Sequence, residues 1–138
     1  MLDIQNFDFS KDHFDLLISL QDALWPEPRK NWESAEMRHH DLRLIPKKCK
    51  LRLDFIKHQD NTIGFGTTAH DHWAFDPTLL DSTIVLPHND KYLDCAQNYL
   101  DHQIERARKM NAKVFRAWSY QGSDWVKDFY TNNGFEIS

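Results

Sequence analysis

Hydrophobic and polar positions along the first third of the chain follow first the period of a strand and then that of a helix. Alternation over residues 3–9 predicts a short strand. Helical spacing from Phe14 to Trp25, behind an N-cap at Ser10, predicts a first helix that the prolines after it would end. A second helix is predicted from a cap at Asn31 to the stop at Pro46.

The middle of the chain returns to the period of a strand. Residues 51–55 alternate apolar and charged side chains, 59–62 are turn formers, and 62–69 are rich in β-branched residues, so this region is predicted to form a hairpin. Residues 70–81 are predicted to form a polar loop, and 82–86 a short apolar strand.

The last third carries the strongest helical signal of the chain, from Lys91 to Met110. A strand is predicted at 113–120, a helix from a Ser123 cap to Gly134, and a final strand from Phe135 to Ile137. The strand–helix–strand segment requires parallel strands, whereas the hairpin requires antiparallel ones. The sequence therefore predicts one α/β (α+β) domain over residues 1–138, with a mixed, mostly antiparallel sheet and helices on both faces.

Composition narrows the functional classes. The 138 residues are 41% hydrophobic and 13% aromatic, which favours a packed globular domain. The net charge of −4 and the lack of a Lys/Arg block argue against a nucleic-acid partner. No apolar run approaches the roughly 20 residues of a membrane span and no signal pattern opens the chain, so a cytoplasmic location is expected. Cys49 and Cys95 indicate neither a disulfide framework nor a zinc site.

Two segments resemble motifs of the GNAT superfamily of acetyl-CoA-dependent N-acetyltransferases. "IVLP" (84–87), a strand end before a turn and a long helix, is similar to the family's Val-x-Pro. "DFYTNNGFEI" (128–137) is similar to its Phe-Tyr-x-x-x-Gly-Phe signature, and "NTIGFG" (61–66) gives weaker support. The resemblance spans the whole chain. It implies a GNAT-like acyl-CoA acyltransferase fold in which two strands part near Val85.

The same resemblance implies a site and a cofactor. The cofactor would be acetyl-CoA, and the acceptor a small-molecule or protein amine. Tyr130 is the implied acid that protonates the leaving thiolate, with plain packing at the core edge as the equal alternative. The implied cofactor-binding residues lie on the strand, in the following turn and at the cap of the last helix: Thr83, Ile84, Val85, Lys91, Tyr92, Leu93, Asp94, Cys95, Ala96 and Ser123.

The turn after Pro87 departs from the family pattern. The family's Arg/Gln-x-x-Gly-x-Gly/Ala corresponds here to residues 90–95, with Leu93 and Cys95 at the glycine positions. Glycine lets a phosphate approach the backbone closely, and Asp90 and Asp94 add negative charge beside it. The alternative function is therefore a catalytically inactive GNAT-like domain that acts as a binding or assembly module. A remoter one is a binder of another small ligand in the same cleft.

Two further features bear on partners and metals. The His39-His40 pair and the His70-x-His72 pair supply too few ligands, so no metal site is predicted. The family normally adds a strand after Gly-Phe, and only four residues follow Gly134. An unpaired sheet edge favours association, for instance as a homodimer.

Overall fold

The computed structural model describes residues 2–25, 34–118 and 124–136, which form five strands and four helices. The strands are β1 (Ile4–Asn6), β2 (Arg52–His58), β3 (Asn61–Ala69), β4 (Leu79–Val85) and β5 (Val114–Ala117). The helices are α1 (Lys11–Leu24), α2 (Ala35–Leu44), α3 (Leu93–Lys109) and α4 (Asp124–Asn132). Short 3-10 turns occupy Lys47–Cys49 and Asp90–Tyr92. None of the helices in the described ranges combines the length and apolar character that a membrane span requires.

The five strands form one sheet in the order β1-β2-β3-β4-β5. The first three pairings are antiparallel, and β4 pairs with β5 in parallel across the α3 crossover. Gln59 and Asp60 have φ angles of 50° and 67°, which suit the two-residue turn that places His58 opposite Asn61. The predicted fold class, a mixed and mostly antiparallel sheet in an α/β arrangement, is confirmed.

Apolar side chains from the two faces of the sheet build two core clusters. On one face, residues of β2, β3 and β4 pack with α1, including Phe14, Phe55 and Phe65. On the other face, Ile56 and Ile84 pack with α3 and α4. Because successive strand residues point to opposite faces, β2, β3 and β4 each contribute to both clusters. Helices therefore cover both faces, as predicted.

Strand β4 begins at Leu79, whereas the sequence predicted a loop up to residue 81 and a strand from Ser82. The polar residues at the start of β4, Asp81 and Ser82, have hydrogen-bond partners on the parallel strand β5. Arg116 donates two hydrogen bonds to the carboxylate of Asp81, at 2.6 and 3.0 Å, and the Ser82 hydroxyl donates to the carbonyl of Arg116 at 3.2 Å. These partners lie far along the chain, so the local pattern did not reveal the strand.

Helix α2 begins at Ala35, behind an N-cap at Ser34 whose hydroxyl accepts a hydrogen bond from the N–H of Met37 at 3.2 Å. The predicted cap, Asn31, lies outside the described residues. The first helix and its Ser10 cap are confirmed, since the Ser10 hydroxyl accepts from the N–H of His13 at 3.2 Å.

The predicted strand at the C-terminal end is not formed by the residues that the structure describes there. Phe135 and Glu136 belong to no strand, and Ile137 lies outside the described ranges. The ring of Phe135 instead packs against Tyr130 and Phe115, with centroids 5.0 and 5.8 Å away. Burial of this ring against α4 and β5 fixes the segment without strand pairing.

Candidate functional site

Strands β4 and β5 part before β4 ends. Their last pair is Ser82 with Ala117, and the N–H of Trp118 donates to the carbonyl of Ser82 at 3.0 Å. Strand β4 continues to Val85, still paired with β3. Backbone groups alternate sides along a strand, so the N–H and C=O of Ile84 lie on the same edge as the Ser82 carbonyl. Among the described residues, this edge of β4 has no strand partner beyond Ser82.

Hydrogen bonds from helix α3 and strand β3 support this open part of β4 on the side away from its free edge. The side-chain amide of Gln103 donates to the carbonyls of Thr67 and Thr83, each at 3.1 Å. The hydroxyls of Thr67 and Thr83 share a hydrogen bond of 2.7 Å. Gln103 is 1% exposed, so these bonds form away from solvent. The open edge is therefore a rigid one, supported on its paired side.

Tyr130 of α4 is buried in the same cluster as Ile84. Its ring lies between those of Phe129 and Phe135, with centroids 5.5 and 5.0 Å away. Within the described part of the chain its hydroxyl is buried without a hydrogen-bond partner. Burial raises the pKa of this phenol well above its usual value, so the hydroxyl keeps its proton at neutral pH.

A groove of about 600 Å³ lies between the start of α3 and the outer face of α4. It is lined by apolar, amide and acidic side chains: His88, Asp90, Leu93, Asp94, Gln97, Trp125, Asp128, Phe129, Asn132 and Asn133. The rings of His88 and Trp125 stack nearly parallel, 8° apart, at 5.8 Å. No lysine or arginine is among the described residues that line it.

The turn that leads into α3 is closed by its own hydrogen bonds. The side-chain oxygen of Asn89 accepts from the N–H of Lys91 at 3.1 Å, and its carbonyl accepts from the N–H of Tyr92 at 2.9 Å. The N–H of Leu93 donates to the carbonyl of Asp90. Three successive backbone donors, the N–H groups of residues 91–93, are therefore already used inside the turn.

The predicted cofactor-binding residues fall into separate groups. Thr83, Ile84 and Val85 form the open part of β4. Leu93 and Asp94 line the groove, whereas Ala96 is fully buried in the core.

Three more predicted residues of the turn point elsewhere. The thiol of Cys95 lies 3.5 Å from Nδ1 of His58, whose ring meets the ring of Tyr92 edge-on at 5.3 Å. The ammonium of Lys91 lies over the Tyr92 ring, 5.0 Å from its centroid. Ser123 lies outside the described residues.

Sequence reasoning missed the part of the groove that α4 supplies. Trp125, Asp128, Phe129 and Asn132 are spaced three and four residues apart and so share one face of the helix. That spacing was visible in the sequence. It mixes aromatic, acidic and amide side chains, however, and only the position of α3 opposite it shows that the face lines a groove.

The loop between β3 and β4, which holds the His70-x-His72 pair, has structural hydrogen bonds and exposed side chains. Nδ1 of His70 donates to the carbonyl of Leu79 at 2.8 Å, which closes the loop between β3 and β4. The Asp71 carboxylate accepts from the N–H groups of Trp73 and Ala74, and these bonds lower its pKa. Trp73 is 88% exposed and packs on His72. In the described ranges no three His, Cys, Asp or Glu side chains gather as a metal site would require.

Solved structures share this fold over the full chain. An acetyltransferase assigned to the GNAT family, from Desulfovibrio desulfuricans, has a TM-score of 0.70 at 10% identity, covering 100% of this chain and 87% of its own. A probable acetyltransferase from Staphylococcus epidermidis has a TM-score of 0.72 at 14% identity, covering 100% and 86%. Aminoglycoside N-acetyltransferase AAC(6')-Iy, solved with CoA, has a TM-score of 0.67 at 17% identity, covering 100% and 90%.

No protein-family model matches the chain, and no curated protein does. At these identities the likeness shows the fold. The chain has the fold of the GNAT N-acetyltransferases, as the two sequence motifs indicated.

Proposed function

We propose that the chain is an N-acetyltransferase that transfers an acetyl group from acetyl-CoA to an amine, as the aminoglycoside-acetylating structural neighbour does by its name. The acceptor is a small molecule or a protein amine, and the proposed location is the cytoplasm. The observation that carries the proposal is the open part of β4 at Thr83–Val85, where Ile84 packs in the same apolar cluster as Tyr130. The hydroxyl of Tyr130 is buried without a partner among the described residues.

The open edge of β4 suits an extended, amide-containing chain. Such a chain can bond to the N–H and C=O of Ile84 as a neighbouring strand would. The pantetheine arm of CoA has this character, and when bound it would supply an acetyl thioester already activated towards an amine. The hydrogen bonds of Gln103 and the Thr67–Thr83 pair keep the edge in place, which favours orientation of the reacting groups.

The hydroxyl of Tyr130 has the properties of a hydrogen-bond donor rather than a base. Its raised pKa keeps the proton on the hydroxyl at neutral pH, and no described residue takes that proton as an acceptor. An orphaned buried donor costs free energy, and a ligand atom with a lone pair would relieve that cost. A thiolate leaving group is such an atom. The proposed role of Tyr130 is therefore to hold a proton at Oη for the departing sulfur.

An acetyl-transfer assay tests this function. Release of free thiol from acetyl-CoA would be followed with a panel of amines that includes small diamines, aminoglycosides and lysine peptides. We expect turnover with at least one amine class, and a loss of about a hundredfold or more in Tyr130→Phe with unchanged affinity for the donor. Equal rates in the two proteins would remove Tyr130 from the mechanism.

One observation favours a second function, a catalytically inactive binding or assembly module. The turn before α3 uses its own N–H groups and carries Asp90 and Asp94. A ligand present at 100 times its dissociation constant stabilises a protein by about 2.7 kcal/mol. Absence of a thermal shift with acetyl-CoA at millimolar concentration, together with absence of turnover, would support this second function.

A further inference from the structure

The end of the site where a CoA pyrophosphate would lie differs in character from the open strand. Anion sites at helix N-termini depend on backbone N–H groups that point outward and have no partner. Here the N–H groups of Lys91, Tyr92 and Leu93 bond to Asn89 and Asp90. A phosphate would have to displace these bonds to gain anything from the three N–H groups that lead into the helix.

Side chains also obstruct this end. Leu93 is 43% exposed and faces the groove, and no glycine lies between residues 88 and 96. A branched side chain at this position keeps a phosphate away from the main chain, which glycine would not do.

Charge opposes a polyanion there as well. Asp90, Asp94 and Asp128 all line the groove, and no described lysine or arginine does. The partial positive charge at the start of α3 is about half an elementary charge. Asp94 stands in the first turn of α3, and Asp90 in the 3-10 turn that precedes it. Lys91 lies over the ring of Tyr92 and is not among the lining residues. The local field therefore disfavours a pyrophosphate.

We infer that the segment 88–96 of this chain does not form a pyrophosphate-binding site. A thioester donor is therefore recognised by its pantetheine arm along β4 and gains no affinity from its nucleotide end. The second half of this inference rests on the proposed acetyltransferase function, whereas the first half stands on the turn alone. It names a substrate class: acyl thioesters of pantetheine, with or without a nucleotide attached.

Binding of CoA and of pantetheine to the purified protein tests the inference by isothermal titration calorimetry, at low and at high salt. We expect the two dissociation constants to agree within about threefold, a difference of under 1 kcal/mol, and to change little with salt. A preference for CoA of about tenfold or more that weakens as salt rises would overturn the inference while supporting the proposed function. If neither ligand binds, the result would support the absence of a pyrophosphate-binding site and would overturn the proposed function instead.

A pair of variants tests whether the carboxylates cause the effect. The double variant Asp90→Asn/Asp94→Asn removes two charges at the groove, and we expect it to raise the affinity for CoA relative to pantetheine severalfold. The matched control is Glu105→Gln, which removes an exposed charge from α3 outside the groove and should leave the ratio unchanged. A ratio that moves equally in both variants, or in neither, would overturn the role assigned to Asp90 and Asp94.

Discussion

Tyr99 of α3 packs directly onto the backbone of Gly66 in β3, so that a β-carbon on Gly66 would lie 2.1 Å from Cε2 of the ring. The hydroxyl of the same tyrosine donates a hydrogen bond to Asp54 of β2 at 3.1 Å. Asp54 also accepts from the guanidinium of Arg52 at 3.1 Å. Tyr99 thus ties the helix of the crossover to two strands, and its fit depends on the missing side chain at position 66.

Replacement of Gly66 by Ala should destabilise the fold by about 1–3 kcal/mol, because the ring of Tyr99 must shift in a packed core. The free energy of unfolding in urea measures this. In a Tyr99→Ala background the ring is gone, and there Gly66→Ala should cost clearly less. Equal costs in the two backgrounds would show that the ring and the glycine do not constrain each other.

Two buried tyrosines should respond differently to loss of the hydroxyl. Tyr99→Phe removes a hydrogen bond to a buried carboxylate and should cost about 1.5–3 kcal/mol. Tyr130→Phe removes a buried hydroxyl that has no partner in the described part of the chain, so it should not lower stability and should raise it by up to about 1–3 kcal/mol. Urea unfolding of both variants provides the measurement, and a large loss in Tyr130→Phe would reveal a structural role for its hydroxyl.

Stability should fall at alkaline pH. Burial raises the pKa of both Tyr99 and Tyr130 in the folded protein, while an unfolded tyrosine titrates near pH 10. Above about pH 10 the unfolded chain therefore releases protons that the folded chain keeps, so this stabilisation is complete below that pH and is lost as pH rises further. Each group contributes a slope of at most about 1.4 kcal/mol per pH unit. Urea unfolding between about pH 9 and 11 should show a shallower decline for Tyr130→Phe than for the wild type, and identical slopes would contradict the burial of this group.

The sequence predicted the crossover because it follows from local patterns, whereas the parting of two strands was implied by the resemblance to the GNAT motifs. The apolar run at 84–86, the turn at Pro87 and the long amphipathic helix stand next to one another in the chain. The sequence also placed the hairpin, although β3 starts at Asn61 rather than at Thr62, because the turn needs only the two residues with positive φ.

The features that it missed depend on partners distant in the chain. Asp81 was predicted to be a loop residue, because its hydrogen-bond partner, Arg116 of β5, lies far along the chain. Leu93 and Cys95 looked equivalent as replacements for glycine, yet the helix directs Leu93 into the groove and Cys95 towards His58. Periodicity gives the face of a helix but not the element that stands opposite it.

The ion pair between Asp81 and Arg116 should strengthen the parallel pairing of β4 with β5, beside the open edge of β4. Its two hydrogen bonds are parallel, and the Asp81 side chain is only 19% exposed, so we expect a coupling energy of about 1 kcal/mol in a double-mutant cycle with Asp81→Asn and Arg116→Gln. The exposed pair Lys11–Asp15 of α1 is the control and should give a smaller coupling energy. A coupling energy for Asp81–Arg116 no larger than that of the control would show that the ion pair adds nothing to strand pairing.

The reactivity of the Cys95 thiol depends on the charge at the start of α3. Burial and then the neighbouring charge of Asp94 raise the pKa of its thiol, so less of the reactive thiolate exists at a given pH than in a free cysteine. Alkylation by iodoacetamide near pH 8, followed by mass spectrometry, should therefore be slower than for a model thiol and should become faster in Asp94→Asn.

Cys49 is fully buried and should not react in the folded protein, so the signal belongs to Cys95. Asp101→Asn serves as the control, because it removes a charge from the same helix farther along, and its rate should match the wild type. An Asp94→Asn rate equal to that control would show that the carboxylate at this turn does not act on the groups around it, and it would weaken the electrostatic case against a pyrophosphate in the adjoining groove.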